Sequence, residues 1–313
     1  LRHRSDFYAT PGLAVYYYRF NTKRPPFDDK RVRLAVNLAI DRKLLVEQVL
    51  GLGQIPAYTF VPPGMAGYEA PPTAIRYDVP RARALLAEAG FPNGKGLPSV
   101  GILYNTDGQH KKIAEEIAEE LRRNLGMDVR AYNQEWQSYQ ATTRAGDYDL
   151  ARAAWVGDYT DPNTFLDLWV TGGGNNQTGF GSSRYDRLIR TAADMSAFIE
   201  APEPLLADLA HPEAVREAVN ATRAATEPAA RLAALARARL LLLREAEAIL
   251  VGEELPIMPL YFYVVSGLIH PNVRGFYSTL EFEDGKRSPN FQDIHPLRDL
   301  FIGGAGPTSG APP

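Results

Sequence analysis

The 313-residue chain has 45% hydrophobic and 23% charged residues and a formal net charge of −3, a composition typical of a globular protein with a sizeable core. A near-neutral charge gives no general attraction to nucleic acid or to an anionic membrane, so neither is expected as a partner. The absence of cysteine excludes disulfides, thiolate metal sites and cysteine nucleophiles. The longest apolar run, residues 255–269, is interrupted by Pro256 and Pro259 and is interpreted as a buried strand.

Patterns typical of strands and helices alternate over the first 100 residues. An aromatic run at residues 15–20 predicts a strand, and apolar side chains spaced about 3.6 residues apart predict a helix over residues 31–50. A loop rich in proline and glycine follows over residues 53–72, and loops of this length are usually functional or mobile. A further helix is predicted over residues 79–89, where Gly90 ends it.

The next elements predict a βαβ unit. A strand over residues 100–104, a helix over 110–125 and a strand over 129–132 should place two parallel strands side by side, joined by a right-handed crossover. The strand predicted over residues 149–155 is expected to join the same sheet. The loop at residues 105–109 then opens at the same sheet edge as the residues that follow this strand.

The start of the crossover helix is a candidate anion site. His110 lies at the helix N-terminus, where unpaired N–H groups and the helix dipole attract anions. Lys111 and Lys112 strengthen the positive field, although cations are usually favoured at the other end of a helix. The alternative is an ordinary solvated first turn. The pattern favours an anionic partner at this edge.

Residues 148–166, YDLARAAWVGDYTDPNTFL, carry the main candidate site. Arg152, Trp155 and Asp158 follow one another along a strand and its exit, and ligands of open α/β sheets bind beyond the carboxyl ends of the strands. Each residue also has an ordinary structural role: a solvated arginine, a core tryptophan, and an aspartate that braces its loop through an Asx-turn. Opposite charges beside an aromatic side chain favour a site, but this motif alone does not define a function.

The second half of the chain is predicted to be mainly helical. Asp161 is a suitable N-cap for a helix that starts at Pro162, and a further helix is predicted over residues 184–196. Residues 200–250 have the pattern of helical hairpins rich in alanine and charge. We interpret this run as a solvated helical insertion with no chemistry of its own. The tail, residues 301–313, is predicted to be disordered.

Catalytic motifs are missing from the sequence. It contains no G-x-S-x-G, H-E-x-x-H, Walker A, G-x-G-x-x-G or EF-hand pattern. The five histidines are not spaced as metal ligands, and no pair of carboxylates is marked as an acid and a base. We therefore expect no metal, no cofactor and no enzymatic activity.

Several blocks of the sequence are distinctive. They are PPFDDKRVRLAVNLAIDRKLLVEQV (25–49), GQIPAYTFVPPG (53–64), ILYNTDGQHKKIAEEI (102–117), YNQEWQSY (132–139), DLARAAWVGDY (149–159), NNQTGF (175–180) with YDRLI (185–189), and LPIMPLYFYV (255–264). Taken together, these blocks resemble one family, the periplasmic oligopeptide-binding proteins of peptide ABC importers, which belong to extracytoplasmic solute-binding protein family 5. The blocks follow one another in the order of the family and cover nearly the whole chain except residues 198–236 and the tail.

The resemblance implies an α/β fold, the second lobe of a two-lobed periplasmic-binding-protein type II fold with a helical insertion. Residues 25–262 would form this lobe, with the insertion at about 197–236. Residues 1–24 would be a strand belonging to or crossing from lobe I, and residues 263–300 would return to it. The chain would be the C-terminal portion of an extracytoplasmic protein, with its signal peptide and most of lobe I missing.

The resemblance also implies a set of ligand contacts. Asp158 matches the family aspartate that pairs with the N-terminal ammonium of the peptide. A charged ammonium enclosed between two lobes needs such a partner, because an unpaired buried charge is costly. Arg152 and His110 match the residues that meet the peptide carboxylate. The other matches are pocket aromatics and an arginine adjacent to a second family arginine: Trp136, Trp155, Tyr263 and Arg144.

The expected function is therefore that of a monomeric receptor that delivers oligopeptides to a membrane permease. The peptide would be held by main-chain hydrogen bonds and by charge pairing at its two ends. Relatives of this fold take other solutes, such as nickel chelates, oligosaccharides or opines, and these remain alternatives. A hydrolase with Asp158 as general base is a further alternative, but the sequence offers no second catalytic group.

Overall fold

A mixed six-stranded sheet forms the centre of the fold. The computed structural model describes residues 4, 6–270, 272–274, 277–281, 287–289 and 301–302. The strands of this sheet are β1 (Phe7–Phe20), β2 (Ile55–Pro56), β3 (Val100–Asn105), β4 (Val129–Gln134), β5 (Leu150–Val156) and β6 (Ile257–Leu268). Their order is β2-β6-β1-β5-β3-β4, with β3 parallel to β4 and β5, and β1 antiparallel to β5 and β6. The predicted α/β class and the parallel βαβ unit are confirmed.

Helices flank the sheet and occupy most of the second half of the chain. They are α1 (Lys30–Leu38), α2 (Arg42–Leu44), α3 (Val79–Glu88), α4 (Gly108–Leu125), α5 (Trp136–Ala145), α6 (Asn163–Leu166), α7 (Ser183–Ala193), α8 (Ser196–Glu200), α9 (Glu203–Leu206), α10 (Pro212–Ala224) and α11 (Pro228–Ala248). Short π-helices at Leu45–Leu50 and Ile249–Glu253 extend α2 and α11. Turns of 3-10 helix lie at Pro92–Gly94 and Asp167–Trp169. In the described part of the chain, no helix is long and apolar enough to cross a bilayer.

Four short strands follow β6 among the described residues. They are β7 (Val273–Arg274), β8 (Tyr277–Glu281), β9 (Arg287–Pro289) and β10 (Phe301–Ile302), paired as β7 with β10 and β8 with β9. Residues 301 and 302, which we assigned to a disordered tail, instead form β10. The rest of that tail lies outside the described residues.

The N-terminal strand is an inner strand of the sheet. Residues 14–20 pair with β5 on one side, and residues 15–19 pair with β6 on the other. Residues 7–10, by contrast, pair only with residues 265–268 of β6, so the two strands continue together beyond the sheet. That residues 1–24 belong to or cross from lobe I stays a prediction, and residues 14–20 are the part of this segment that is integral to the sheet. The predicted boundary between residues 262 and 263 falls within β6.

The two faces of the sheet carry separate hydrophobic cores. On one side, the α4 face, Leu150 of β5 packs with apolar residues of α1 and α4. On the other side, the α11 face, Ala153 packs with apolar residues of α6, α7 and α11. Near β3 this second face is covered by α5, whose Tyr139 clusters with Ala151. Because successive strand residues alternate between faces, β5 presents its even-numbered side chains to the α4 face and its odd-numbered ones to the α11 face.

The helix predicted over residues 31–50 is divided in two. α1 ends at Leu38, and Asp41 then caps α2 by accepting hydrogen bonds from the first N–H groups of that helix, both at 3.0 Å. The π-helix that follows ends at Gly51, whose left-handed conformation (φ 64°) suits a glycine. The apolar period continues across the break, which is why the pattern alone predicts a single helix.

The helical run that we interpreted as a solvated insertion contributes its inner side to the core on the α11 face. Phe198, Leu205 and Val219 are buried there, together with Leu242 and Leu243 of α11. The outer side is exposed, as at Leu232. This segment therefore helps to stabilise the sheet rather than only projecting from it.

A buried carboxylate holds the loop rich in proline and glycine. Glu247 of α11 is fully buried and accepts hydrogen bonds from the N–H groups of Phe60 (2.7 Å) and Val61 (2.8 Å) and from the Tyr68 hydroxyl. Three donors replace the water that burial removes from this acid. Part of the loop is therefore anchored to the core.

We expect Glu120 to make stability depend on pH. This side chain of α4 is buried, it accepts from the Asp41 N–H (3.2 Å), and burial raises its pKa from the ordinary 4.5 to about 7. A raised carboxyl pKa means that the folded state holds the proton more tightly, so stability is lost as the pH rises from about 4.5 through 7. Glu120→Gln should abolish this pH-dependent loss of unfolding free energy, which is at most about 3 kcal/mol.

Urea denaturation at pH 5 and pH 8 measures the effect. The variant should be more stable than the natural protein at pH 8, with a smaller difference at pH 5. Glu119→Gln, at the exposed neighbouring position, is the control and should leave the pH dependence unchanged. Equal pH dependence in Glu120→Gln and the natural protein would contradict the assignment.

Candidate functional site

Arg152 lies at the centre of the site, on the α4 face of β5. Its guanidinium carbon is 4.8 Å from the centroid of the Tyr16 ring, and its Nη1 donates to Asn105 Oδ1 (3.2 Å) at the end of β3. Its Nε is buried without a hydrogen-bond partner, and no carboxylate of the described residues lies within 4 Å of it. An aromatic face and an amide compensate a buried cation only in part. The arrangement therefore favours an anionic ligand.

His110 joins this cluster from the N-terminus of α4. Asp107 caps the helix by accepting from the N–H groups of Gln109 (2.8 Å) and His110 (3.2 Å). The His110 ring Nδ1 is 3.3 Å from the Tyr16 hydroxyl. Burial, and then the Arg152 charge, lower the pKa of His110 to about 4, against the opposing effect of Asp107. His110 is therefore neutral at pH 7 and contributes hydrogen bonding, not the positive charge that the sequence suggested.

Aromatic rings complete the cluster on the α4 face. Tyr16 stacks on Tyr261 with centroids 4.8 Å apart, and Tyr263 lies edge-on to Tyr261 at 5.2 Å and 6.5 Å from Tyr16. Tyr16 is thus the common neighbour of Arg152, His110 and Tyr263, three of the predicted ligand residues. Tyr16 could not be identified from the sequence, because the aromatic run at residues 15–20 does not reveal which of its side chains faces the site.

The two tryptophans predicted to line the site, Trp155 and Trp136, are not part of the Arg152 cluster. Trp155 points to the α11 face, where it packs against the core, and its indole Nε1 is buried without a hydrogen-bond partner. Trp136 is 52% exposed at the start of α5 and stacks on Tyr139 at 5.8 Å. The Tyr139 hydroxyl donates to the Arg152 carbonyl oxygen. Arg152 and Trp155 thus flank the end of β5 from opposite faces and do not meet, as strand alternation requires.

Asp158 lies in the exposed loop that follows β5. Its N–H donates to Thr164 Oγ1 (3.0 Å), and no hydrogen bond or ion pair of its carboxylate occurs among the described residues. The loop is instead braced by Asp161, which accepts from the Asn163 N–H (2.8 Å) and pairs with Arg239 (2.7 Å). The Asx-turn role considered for Asp158 therefore belongs to Asp161. The Asp158 carboxylate is available to a ligand cation.

A second carboxylate lies in the field of Asp158. Partial burial and the Asp158 charge raise the pKa of Asp167, in the 3-10 turn after α6. Two carboxylates close enough to interact attract a cation to the space near them. The segment after β5 thus carries the negative charges of Asp158 and Asp167, and β5 itself carries the positive charge of Arg152.

Arg144 is separate from these groups. It lies in the last turn of α5 with its side chain exposed, and no described contact joins it to Arg152 or Asp158. Among the described residues, no group of three or more histidine, aspartate or glutamate side chains could hold a metal ion.

We expect Arg152→Gln to raise the pKa of His110. The Arg152 charge is the second cause of the low pKa, so its removal should move the pKa upward from about 4, while burial, the first cause, keeps it below 6.5. An NMR titration of the His110 ring measures the shift. Arg130→Gln, at an exposed position of β4, is the control. An unchanged His110 pKa in Arg152→Gln would show that the two groups are not coupled.

Similarity to known proteins agrees with this architecture. Residues 2–177 match the model of "Bacterial extracellular solute-binding proteins, family 5 Middle". The periplasmic murein peptide-binding protein MppA of Escherichia coli is 40% identical over 191 residues, 59% of this chain and 35% of that protein. The periplasmic oligopeptide-binding protein OppA of Haemophilus influenzae is 32% identical over 307 residues, 95% of this chain and 47% of that protein.

The fold is also found in solved structures. The unliganded open form of the murein tripeptide-binding protein MppA superposes with a TM-score of 0.73 at 33% identity, covering 95% of this chain and 49% of that one. The chain thus spans about half or less of the length of these relatives. The family match covers more than half of the chain. The chain therefore belongs to the bacterial extracellular solute-binding proteins of family 5.

Proposed function

We propose that this chain is the second lobe of a monomeric extracytoplasmic receptor that captures oligopeptides and delivers them to the permease of an ABC importer. The observation that carries this proposal is the pair of unmatched charges along β5 and its exit. Arg152 is a partly buried cation whose buried Nε has no hydrogen-bond partner, and it has no carboxylate within 4 Å among the described residues. Asp158 is an exposed carboxylate without a cation among the described residues. A peptide in its zwitterionic form supplies one charge of each sign. Family membership and the peptide-binding relatives support the same ligand class.

The distance between the two charges suits an extended peptide. Residues 152 and 158 are separated by six steps along a strand and its exit, so their backbones lie at most roughly 20 Å apart. An extended peptide of about six residues has this reach. Shorter peptides reach both groups if the loop folds back. The direction of the bound peptide is then determined by its two ends, because the ammonium contacts Asp158 and the carboxylate contacts Arg152 and His110.

Exposed apolar side chains at the same sheet edge support closure by a second lobe. Trp136, Val156 and Tyr159 are 52%, 67% and 47% exposed. Val156 is the last residue of β5, Tyr159 follows that strand, and Trp136 follows β4. Clustered large apolar side chains on a surface indicate a partner surface. Closure over the peptide would bury them with the ligand, and main-chain hydrogen bonds would hold peptides of varied sequence.

The other ligand classes fit the charges less well. An uncharged oligosaccharide would leave the Arg152 guanidinium without an anion. A hydrolase would need a second catalytic group at Asp158. The described residues offer the Asp167 carboxylate, whose pKa is raised by partial burial and by the Asp158 charge, and a peptide-cleavage assay decides whether this pair is catalytic. Opines and metal chelates carry carboxylates and remain subjects for the same binding assay.

The ammonium contact is tested by acetylating the peptide N-terminus. In calorimetric titrations of the full-length protein, free tripeptides and tetrapeptides should bind, and acetylation should weaken binding about 10- to 100-fold, because Asp158 then lacks its cation. Asp158→Asn should weaken the free peptide similarly, with little further loss on acetylation. Asp128→Asn, at an exposed position, is the control. Equal binding of free and acetylated peptides by the natural protein would refute this contact, and cleavage of the peptide would favour the hydrolase.

The carboxylate contact is tested by amidating the peptide C-terminus. Amidation should weaken binding by the natural protein about tenfold or more, since it removes the charge that pairs with Arg152. Arg152→Gln should be nearly insensitive to amidation, whereas Arg130→Gln should behave as the natural protein. The ratio of the dissociation constants of amidated and free peptide is then compared between the two proteins. If this ratio is the same for Arg152→Gln and for the natural protein, Arg152 does not contact the peptide carboxylate.

A further inference from the structure

A second arginine without an acidic partner lies on the opposite face of the sheet. Arg19 of β1 is directly across from Ala151 of β5, so its side chain points to the α11 face, away from Arg152. Its Nε is buried and has no hydrogen-bond partner. No carboxylate of the described residues lies within 4 Å of the guanidinium. Arg19 therefore repeats, on the other face, the features that mark Arg152 as a ligand residue.

The neighbours of Arg19 are neutral oxygen-bearing side chains. Its Nη1 donates to Gln177 Oε1, and Tyr17, Tyr139 and Tyr148 surround the guanidinium. The Tyr148 hydroxyl donates to the Gln177 main-chain oxygen (2.6 Å), which holds this residue beside Arg19. A neutral amide and phenol groups stabilise a buried cation less than a carboxylate does.

Three other arginines in the described part of the chain have carbonyl or carboxylate partners. Arg42 donates to the carbonyl oxygens of Asn37 and Pro259 and to the Asn37 side chain. Arg239 binds both carboxylate oxygens of Asp161 and the Ala192 carbonyl. Arg184, whose Nε is also unpartnered, has two glutamates within 4 Å. Within the described part of the chain, Arg19 and Arg152 thus combine a buried, unpartnered Nε with the lack of an acid.

Arg19 is linked to the candidate site through a shared neighbour, Tyr139. Tyr139, one of its neighbours, carries the exposed Trp136 stacked on its outer side and donates its hydroxyl proton to the Arg152 carbonyl. Trp155 lies on the same face as Arg19. A ligand side chain that enters on this face beside Trp155 is therefore on the side of the sheet that carries the guanidinium, since Arg19 is four positions along β1 from Val15, the residue opposite Trp155. The planar fork of an arginine matches a carboxylate with two hydrogen bonds.

We propose that Arg19 is a specificity-determining residue that binds an acidic side chain of the peptide on the α11 face. This inference rests on the proposed peptide-receptor function and deepens it: Arg152 and Asp158 bind the ends of any peptide, and Arg19 selects for glutamate or aspartate at one position. The side-chain carboxylate takes the place of the Gln177 amide oxygen as the acceptor for Nη1 and also accepts from Nε.

The test compares glutamate with glutamine at each position of a tripeptide and a tetrapeptide with free ends. Calorimetric titration of the full-length natural protein should give at least a tenfold preference for glutamate over glutamine at one position. In Arg19→Met this ratio should fall to about one, and in Arg19→Lys, which keeps the charge but not the fork, it should be intermediate. Arg130→Met, at an exposed position of β4, should keep the natural ratio. Thermal melts of each variant report folding separately.

The outcomes separate this inference from the broader function. If peptides bind but no position prefers glutamate, the role of Arg19 is refuted and the receptor function stands. The same holds if Arg19→Met weakens glutamate and glutamine peptides by equal factors, which is the result of a purely structural role. If no peptide of the set binds the natural protein, both proposals fail.

Discussion

The antiparallel register between β1 and β5 is the constraint on which the site depends. Tyr18 lies opposite Arg152, and Arg19 lies opposite Ala151, so the two arginines point to opposite faces, and one residue of shift would place them on the same face. β6 pairs with the other side of β1 and brings Tyr261 against Tyr16. The register is held because both faces are buried, each in its own core. The position of every charged group at this sheet edge follows from that pairing.

Buried charges in this protein serve two different purposes. Glu247 is enclosed and accepts from three donors, so it contributes to the fold. Arg152 and Arg19 each have a buried Nε without a hydrogen-bond partner, and their contacts are neutral side chains rather than carboxylates. The proposed binding roles of the two arginines rest on this contrast with Glu247.

The fold could be predicted from local patterns to a large extent, and the site only in part. The parallel pairing of β3 and β4 follows from apolar period and loop length, and it is confirmed. That His110 and Arg152 share one cluster follows from the expectation that both lie at one sheet edge. That Asp161 rather than Asp158 braces the loop could not be predicted, because Arg239, its ion-pair partner, lies far along the chain. The low pKa of His110 likewise arises from burial among residues distant in sequence.

The sequence by itself determined the α/β class, the order of the elements, the family resemblance and the identity of the residues that carry charge along β5. These depend on the period of apolar residues, on caps and turns, and on ordered blocks, all of which are local in the chain. Only the tertiary structure decided that Tyr16 is the common neighbour of the Arg152 cluster, that Arg152 and Trp155 face opposite ways, and that Arg19 has no acid beside it. Those facts depend on strand pairing between residues more than 100 positions apart, and no local pattern specifies that pairing.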